Sequence, residues 1–147
     1  MSNDGNYDKV ETLDGGTVIY TLDGYLHRLN GPAVIFPDGY KAWYVNGEQH
    51  SINDKPAVIR PDGELAWYVN GELRRDNGKP AVITSGGVLK WYEDSRLIDI
   101  YYPDFGCMAT KIKTREQALE RLNANHRPYS YDLYMADIDR RFPQEKD

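Results

Sequence analysis

The chain is poor in the residues from which small catalytic and metal centres are made. Among its 147 residues there is one cysteine, Cys107, and there are three histidines. A lone thiol cannot close an internal disulfide, so a disulfide-stapled secreted fold is excluded and a reducing, cytoplasmic setting is expected. Long apolar runs are missing as well. The longest are short pieces such as residues 33–36, far from the ~20 residues that a membrane-crossing helix needs. Residues 1–9 are polar and carry no apolar signal region. Positive charge is scarce: 18 Lys+Arg stand against 23 Asp+Glu, for a net charge of −5. The deficit lies in residues 1–106, with 10 basic and 16 acidic side chains, whereas residues 107–147 carry 8 and 7. An acidic body does not supply the field that a phosphate backbone requires, which argues against nucleic acid as a partner.

What the chain does have is tyrosine and repetition. Twelve Tyr and three Trp stand beside only three Phe, a mixture that suits a pleated, partly wet surface. Pro32, Pro56 and Pro80 recur at a spacing of 24, and Ala33/Ala57/Ala81, Val34/Val58/Val82 and Ile35/Ile59/Ile83 follow in step. Trp43-Tyr44, Trp67-Tyr68 and Trp91-Tyr92 keep the same register. Asp38-Gly39 matches Asp62-Gly63, and Asn46-Gly47 matches Asn70-Gly71. In the third copy these turns have decayed to Gly86-Gly87 and Asp94-Ser95. A degenerate leading copy is visible in Asp14-Gly15, residues 17–22 and Asp23-Gly24. His27, His50 and Arg74 share one position, three residues after a turn glycine or its equivalent.

Each unit reads as strands joined by tight turns. The β-branched run at residues 33–36 is followed by Pro37-Asp38-Gly39, which supplies turn conformations at low cost. A second strand over about residues 40–45 leads to Asn46-Gly47, a strong hairpin signal. A third strand begins at Glu48. Strand, Asp-Gly, strand, Asn-Gly, strand is expected to repeat as an antiparallel meander. Side chains alternate with a period of two. Trp43, Trp67 and Trp91 therefore share one face with Leu65, Leu89, Val45 and Val69, and this more apolar face is expected to point inward. Tyr40, Tyr44, Tyr68 and Tyr92 share the other with Ala42 and Ala66, and this face is expected to be the wet contact surface.

The pattern changes after Asp104. Residues 114–125 read as a helix with a Thr114/Gln117 capping box and an Ala118, Leu119, Leu122 stripe. Pro128 ends it. A second helix is expected from residue 130 or 131 to about residue 141, with Leu133, Tyr134, Ile138 and Phe142 inward. The fold expected is mainly β (α+β): tandem hairpins forming an elongated twisted antiparallel sheet with a two-helix C-terminal cap. Its parts are a polar tail at 1–9, a repeat domain at 10–106 and a helical cap or arm at 107–147. Such a cap would shield an open sheet edge, and its helices could also serve homodimerisation.

The unit His27-Arg28-Leu29-Asn30-Gly31-Pro32-Ala33, then Asp38-Gly39, then Trp43-Tyr44-Val45-Asn46-Gly47, resembles the variant MORN-like repeats. These are common in phage and large-virus proteins and in bacterial antitoxins of the YwqK type. The resemblance covers roughly residues 11–99 and leaves the tail outside. It implies stacked hairpins and protein–protein contact as the role. A phage origin would make this a small accessory protein that engages and inhibits a host factor in the host cytoplasm. Lipid binding is known for some members. The glycine-rich Tyr-x-Gly-x-Trp order of the familiar MORN unit is absent.

No catalytic arrangement emerges. Cys107 and His126 lack a third group that would make a triad. The three histidines have no zinc spacing. Asp137 and Asp139, two apart on a helix, point different ways and read as a solvated face. The Asp-Gly and Asn-Gly pairs are turn chemistry without calcium-loop spacing. No enzymatic activity, cofactor or metal is expected. The residues expected to meet a protein partner are Tyr40, Tyr44, Tyr68, Tyr92, His27, His50, Arg74 and Arg75, because Tyr and Arg dominate interface energetics. The alternative is a small ligand, a nucleotide or phospholipid headgroup, held between sheet and helices by Arg74, Arg75 and the tyrosines. Arg74, Arg75, Lys55, Lys79 and Arg60 also suggest a basic strip, for which scattered surface charge is the plainer account.

Overall fold

In a computed structural model, which describes residues 7–102, 113–124 and 131–144, the chain is mainly antiparallel β with two C-terminal helices. An opening hairpin joins β1 (Lys9–Thr12) to β2 (Val18–Leu22), and β3 (Tyr25–Leu26) folds back on β2. The first full copy gives β4 (Val34–Ile35), β5 (Lys41–Ala42), β6 (Tyr44–Val45) and β7 (Glu48–Gln49). The second gives β8 (Val58–Ile59), β9 (Leu65–Ala66), β10 (Tyr68–Val69) and β11 (Glu72–Leu73). The third gives β12 (Val82–Ile83), β13 (Leu89–Glu93) and β14 (Arg96–Tyr101). The fold begins slightly earlier than the composition suggests: Tyr7 packs edge-on against Tyr20 at 4.8 Å, and the Asp8 N–H donates to the Thr21 carbonyl at 2.9 Å.

The expected meander is divided in two. The main sheet runs β1-β2-β4-β5-β8-β9-β12-β13-β14, while β6–β7 and β10–β11 leave it as separate two-stranded hairpins. The division falls at the tryptophan. The Trp43 N–H donates to the Ala57 carbonyl at 2.7 Å, whereas the Trp43 carbonyl accepts from the His50 N–H at 3.2 Å. Trp67 repeats this with Ala81 and Arg74, and Tyr20 with Ala33 and His27. One residue thus serves the next copy's ladder with its N–H and its own side hairpin with its carbonyl. Trp91 differs, because β13 pairs with β14 on both sides of it and only shifts register between Trp91 and Tyr92.

The turns show why the period is kept. The Phe36 N–H donates to the Tyr40 carbonyl and the Gly39 N–H to the Phe36 carbonyl, at 2.9 and 3.1 Å. The same pair of bonds recurs at Arg60/Gly63/Glu64, Thr84/Gly87/Val88 and Leu13/Gly16/Thr17. This is a type I turn closed by a left-handed residue, and Gly39 has φ of 101°. In the leading copy Gly16, φ 92°, stands where Gly39 stands, so the sequence match of Asp14-Gly15 to Asp38-Gly39 is one residue out of register. The loop between Arg28 and Pro32 is correspondingly one residue shorter than that between Ser51 and Pro56. The side-hairpin turns have two left-handed residues each: Asp23/Gly24, Asn46/Gly47, Asn70/Gly71 and Asp94/Ser95. Asp94-Ser95 therefore keeps the turn geometry without a glycine.

The buried spine of the sheet lies on the face that sequence reading left wet. Val34 pairs with Ala42, Ala42 with Val58, Val58 with Ala66 and Ala66 with Val82. All are buried, and Tyr40, Tyr44, Tyr68 and Tyr92 pack against them. Alanine is small enough to let tyrosine rings lie over the strand, so the tyrosine face is buried along its alanines and valines as well. Trp67 and Trp91, each 4% exposed, are buried as expected. Their face of the sheet carries Ile35, Ile59, Leu65, Ile83 and Leu89, all of intermediate exposure.

The helices α1 (Arg115–Ala124) and α2 (Tyr131–Arg141) pack on each other around Ala118 and Ile138, flanked by Leu119, Met135 and Phe142. The cap is present: the Thr114 hydroxyl accepts from the Gln117 N–H at 3.2 Å, and Gln117 Oε1 accepts from the Lys113 N–H at 2.8 Å. Arg115 ties the pair together through the Phe142 carbonyl at 2.8 Å and Asp139 at 2.7 Å. Leu133 is exposed, not inward. Asp137 is buried and held by Arg140 and Arg141, which corrects its reading as a solvated residue. Cys107, His126, Pro128 and the side chains of Leu122 and Tyr134 lie outside the described residues. No helix among the described residues is long and apolar enough to cross a membrane.

Candidate functional site

The eight residues singled out by sequence fall into three groups. The tyrosines form the first. Each is of intermediate exposure, with its ring on the Ala/Val spine. Burial raises the Tyr44 phenol above its ordinary pKa of 10.0, with Tyr40 and Tyr68 adding to the effect and a hydrogen bond from Gln49 opposing it. Burial likewise raises Tyr68, which senses Tyr40 and Tyr92 and is partly offset by Arg60. The four rings therefore belong to one patch that crosses the copies. Phe36 extends it, 40% exposed and 5.0 Å from the Tyr40 ring.

The histidines form the second group, and their role is internal. His27 Nδ1 accepts from the Asn46 N–H at 3.0 Å, and His50 Nδ1 accepts from the Asn70 N–H at 3.1 Å. Each histidine thus receives the first turn residue of the next side hairpin. Further bonds join the same hairpins: the Gly47 N–H donates to the Leu26 carbonyl and the Gly71 N–H to the Gln49 carbonyl, at 2.8 and 2.9 Å. His27 is 5% exposed and does not offer a partner a surface. The wish for an acceptor at this position explains a histidine where the sequence showed only a shared register.

Arg74 and Arg75 form the third group, beside the tryptophans. Next to each Trp a loop leading to a repeat proline makes a shallow cleft: about 230 Å³ at Trp43, 290 Å³ at Trp67 and 200 Å³ at Trp91. The loops are pinned by the indoles. Trp67 Nε1–H donates to the Asp54 carbonyl at 2.9 Å and Trp91 Nε1–H to the Gly78 carbonyl at 2.8 Å. Arg75 stacks on Trp67 with its guanidinium carbon 3.9 Å from the ring centroid, as Arg28 stacks on Tyr20 at the same distance. Such stacking suits the planar, weakly hydrated guanidinium. Arg75 grips Asp54 with two hydrogen bonds, of 2.8 and 3.0 Å, and Lys79 reaches the same carboxylate at 2.6 Å. The bonds from Arg75 and then Lys79 hold the Asp54 carboxyl well below the usual carboxylate range. Arg60 pairs with Glu64 at 3.0 Å. The basic strip suggested by the sequence is thus largely neutralised.

Arg74 is different. It lines the clefts at both Trp67 and Trp91. Among the described residues its buried Nε has no hydrogen-bond partner, and its one ion pair is a long 4.0 Å contact with the exposed Asp76. Tyr92 lines the same Trp91 cleft and packs on the spine, so it joins the tyrosine patch to the arginine. Sequence reading missed Asp54, Asn77 and the indole-pinned loops. An aromatic residue followed by an arginine eight residues on (Tyr20/Arg28 and Trp67/Arg75) was the signal that could have found them.

No group of three or more His, Cys, Asp or Glu is placed to hold a metal ion among the described residues. Comparison with protein families, curated proteins and solved structures finds no match.

Proposed function

We propose that the repeat domain is a non-enzymatic module that binds another protein through the tyrosine patch. The observation that carries this reading is the continuity of Tyr40, Tyr44, Tyr68 and Tyr92 across successive copies, each ring half-buried and fixed against the spine. A tyrosine so held offers amphipathic contact area with little rotamer freedom left to lose, which is what binding hot spots require. The resemblance to phage and viral repeat proteins points to a host factor as the partner and to inhibition as the result.

The test is affinity capture with the full chain against a Tyr44/Tyr68/Tyr92→Phe variant. Phenylalanine keeps the rings on the spine and removes only the hydroxyls, so folding is retained. A single stoichiometric partner held by the wild type, and at least tenfold more weakly by the variant, supports the reading. Recovery of no stoichiometric partner sinks it.

A further inference from the structure

The repeat contains one substitution that inverts its own chemistry. At His27 and His50 the ring Nδ1 accepts a hydrogen bond from the first residue of the next side-hairpin turn, Asn46 or Asn70. By sequence position the corresponding N–H in the third copy is that of Asp94, twenty residues beyond Arg74 as Asn70 is beyond His50. The backbone around the position is unchanged: the His27, His50 and Arg74 N–H groups donate to the carbonyls of Tyr20, Trp43 and Trp67 at 3.0, 3.2 and 3.2 Å. Yet arginine has five N–H donors and no acceptor. A position built to accept is thus filled by a side chain that can only donate, and its Nε is left buried without a partner.

Buried donors are satisfied in nearly all native structures, and an exception calls for an acceptor from elsewhere. The surroundings say what kind. The neighbouring cations are engaged, since Arg75 and Lys79 share Asp54. Arg74 shares the Trp91 cleft with these two cations, and the ion pair it makes there is the long contact with Asp76. Asp76 and Glu93 also line that cleft. Both acids repel an incoming anion, a dianion more than a monoanion, so a single carboxylate is the better match for Arg74. A planar, forked guanidinium fits a planar carboxylate with two parallel bonds. The walls are Trp91, Tyr92 and Ile98, apolar enough to take a short aliphatic stem.

We infer that the Trp91 cleft takes an aspartate or glutamate side chain of the partner protein, gripped by Arg74. This rests on the protein-binding reading and gives the partner a chemical signature: an acidic side chain that enters beside the tyrosine patch, with Tyr92 contacting both.

The experiment uses the isotopically labelled full chain, with nuclear magnetic resonance of the Arg74 Nε–H and the Trp91 Nε1–H. The probe is the capped tripeptide acetyl-Gly-Glu-Gly-amide, with its Gln counterpart as the neutral control and inorganic phosphate as the rival anion. Saturable shifts of both signals with the Glu peptide, absent with the Gln peptide, support the inference. The control variant is Arg74→His, which restores the acceptor used by the other copies and so should fold at least as well. It should weaken the Glu peptide at least tenfold. Unmoved Arg74 signals, peptide binding retained by Arg74→His, or a lower midpoint for phosphate than for the peptide overturns the inference. The two readings fail separately. A partner captured equally by wild type and Arg74→His removes the cleft and leaves the tyrosine patch. Peptide binding at Arg74 without any captured protein keeps the cleft and removes the patch.

Discussion

The main sheet and the column of side hairpins are built from the same repeat but are held by different forces. In the sheet, successive copies meet through small apolar side chains, Val34, Ala42, Val58, Ala66 and Val82, on one buried row. In the hairpin column they meet through polar links: His27 to Asn46, His50 to Asn70, and the Tyr68 N–H to the Ser51 hydroxyl at 3.0 Å. The lesson is that a 24-residue period can carry two independent codes. One fixes volume, and any side chain of the right size satisfies it. The other fixes donor and acceptor identity, which a single exchange can reverse. Arg74 is such an exchange.

The sharpest way to break the contrast is Ala66→Leu. If this face were open to water the larger side chain would be harmless. Against Val58, Val82 and the overlying tyrosines it should overpack the spine and cost about 1–3 kcal/mol, read as a lowered midpoint in denaturant unfolding. His27→Phe tests the other code. It keeps a planar ring, a slightly larger one, but leaves the Asn46 N–H without its acceptor, and should cost about 1–2 kcal/mol by the same assay. The smallest effect concerns the loop that Trp67 pins. The folded-state pKa of Asp54 lies below its ordinary value, so its stabilisation is present above about pH 4 and is lost as pH falls through the folded-state value. The carboxylate is substantially exposed and screened by solvent, so the loss is modest. Melting temperatures of wild type and Asp54→Asn should converge as pH is lowered from about 6 to about 2. A constant difference would show that the carboxylate charge is not what matters.

Much of this was legible in the sequence. The turns were, because Asp38-Gly39 and Asn46-Gly47 demand particular backbone conformations wherever they occur. The helices were, because Thr114 with Gln117 states a helix start locally. Three things were not. The split of the meander depends on Trp43 sending its N–H and carbonyl to different neighbours, which no side-chain pattern encodes. The burial of Ala42 and Ala66 was not, because hydropathy ranks Trp above Ala, whereas the tyrosines beside the alanines cover them. The Asp54–Arg75 pair joins residues 21 apart in different copies, and only the stacking of copies brings them together. The decayed turn Asp94-Ser95 shows the converse: the hairpin around it imposes φ of 49° and 59° on residues that do not ask for them.

The Lys-Pro dipeptide at the start of the second and third units has a consequence for length. Residues 56–79 are bracketed by Lys55-Pro56 and Lys79-Pro80, so excising them splices Lys55 to Pro80 and recreates a junction the chain already uses twice. The excision would also place the Asp94 turn directly above His50, handing that N–H the imidazole that Arg74 denies it. A shorter molecule would therefore close its seams better than the present one. Copy number in this architecture is free to drift like the links of a chain, and the link that carries Arg74 is the one whose retention needs a reason outside folding.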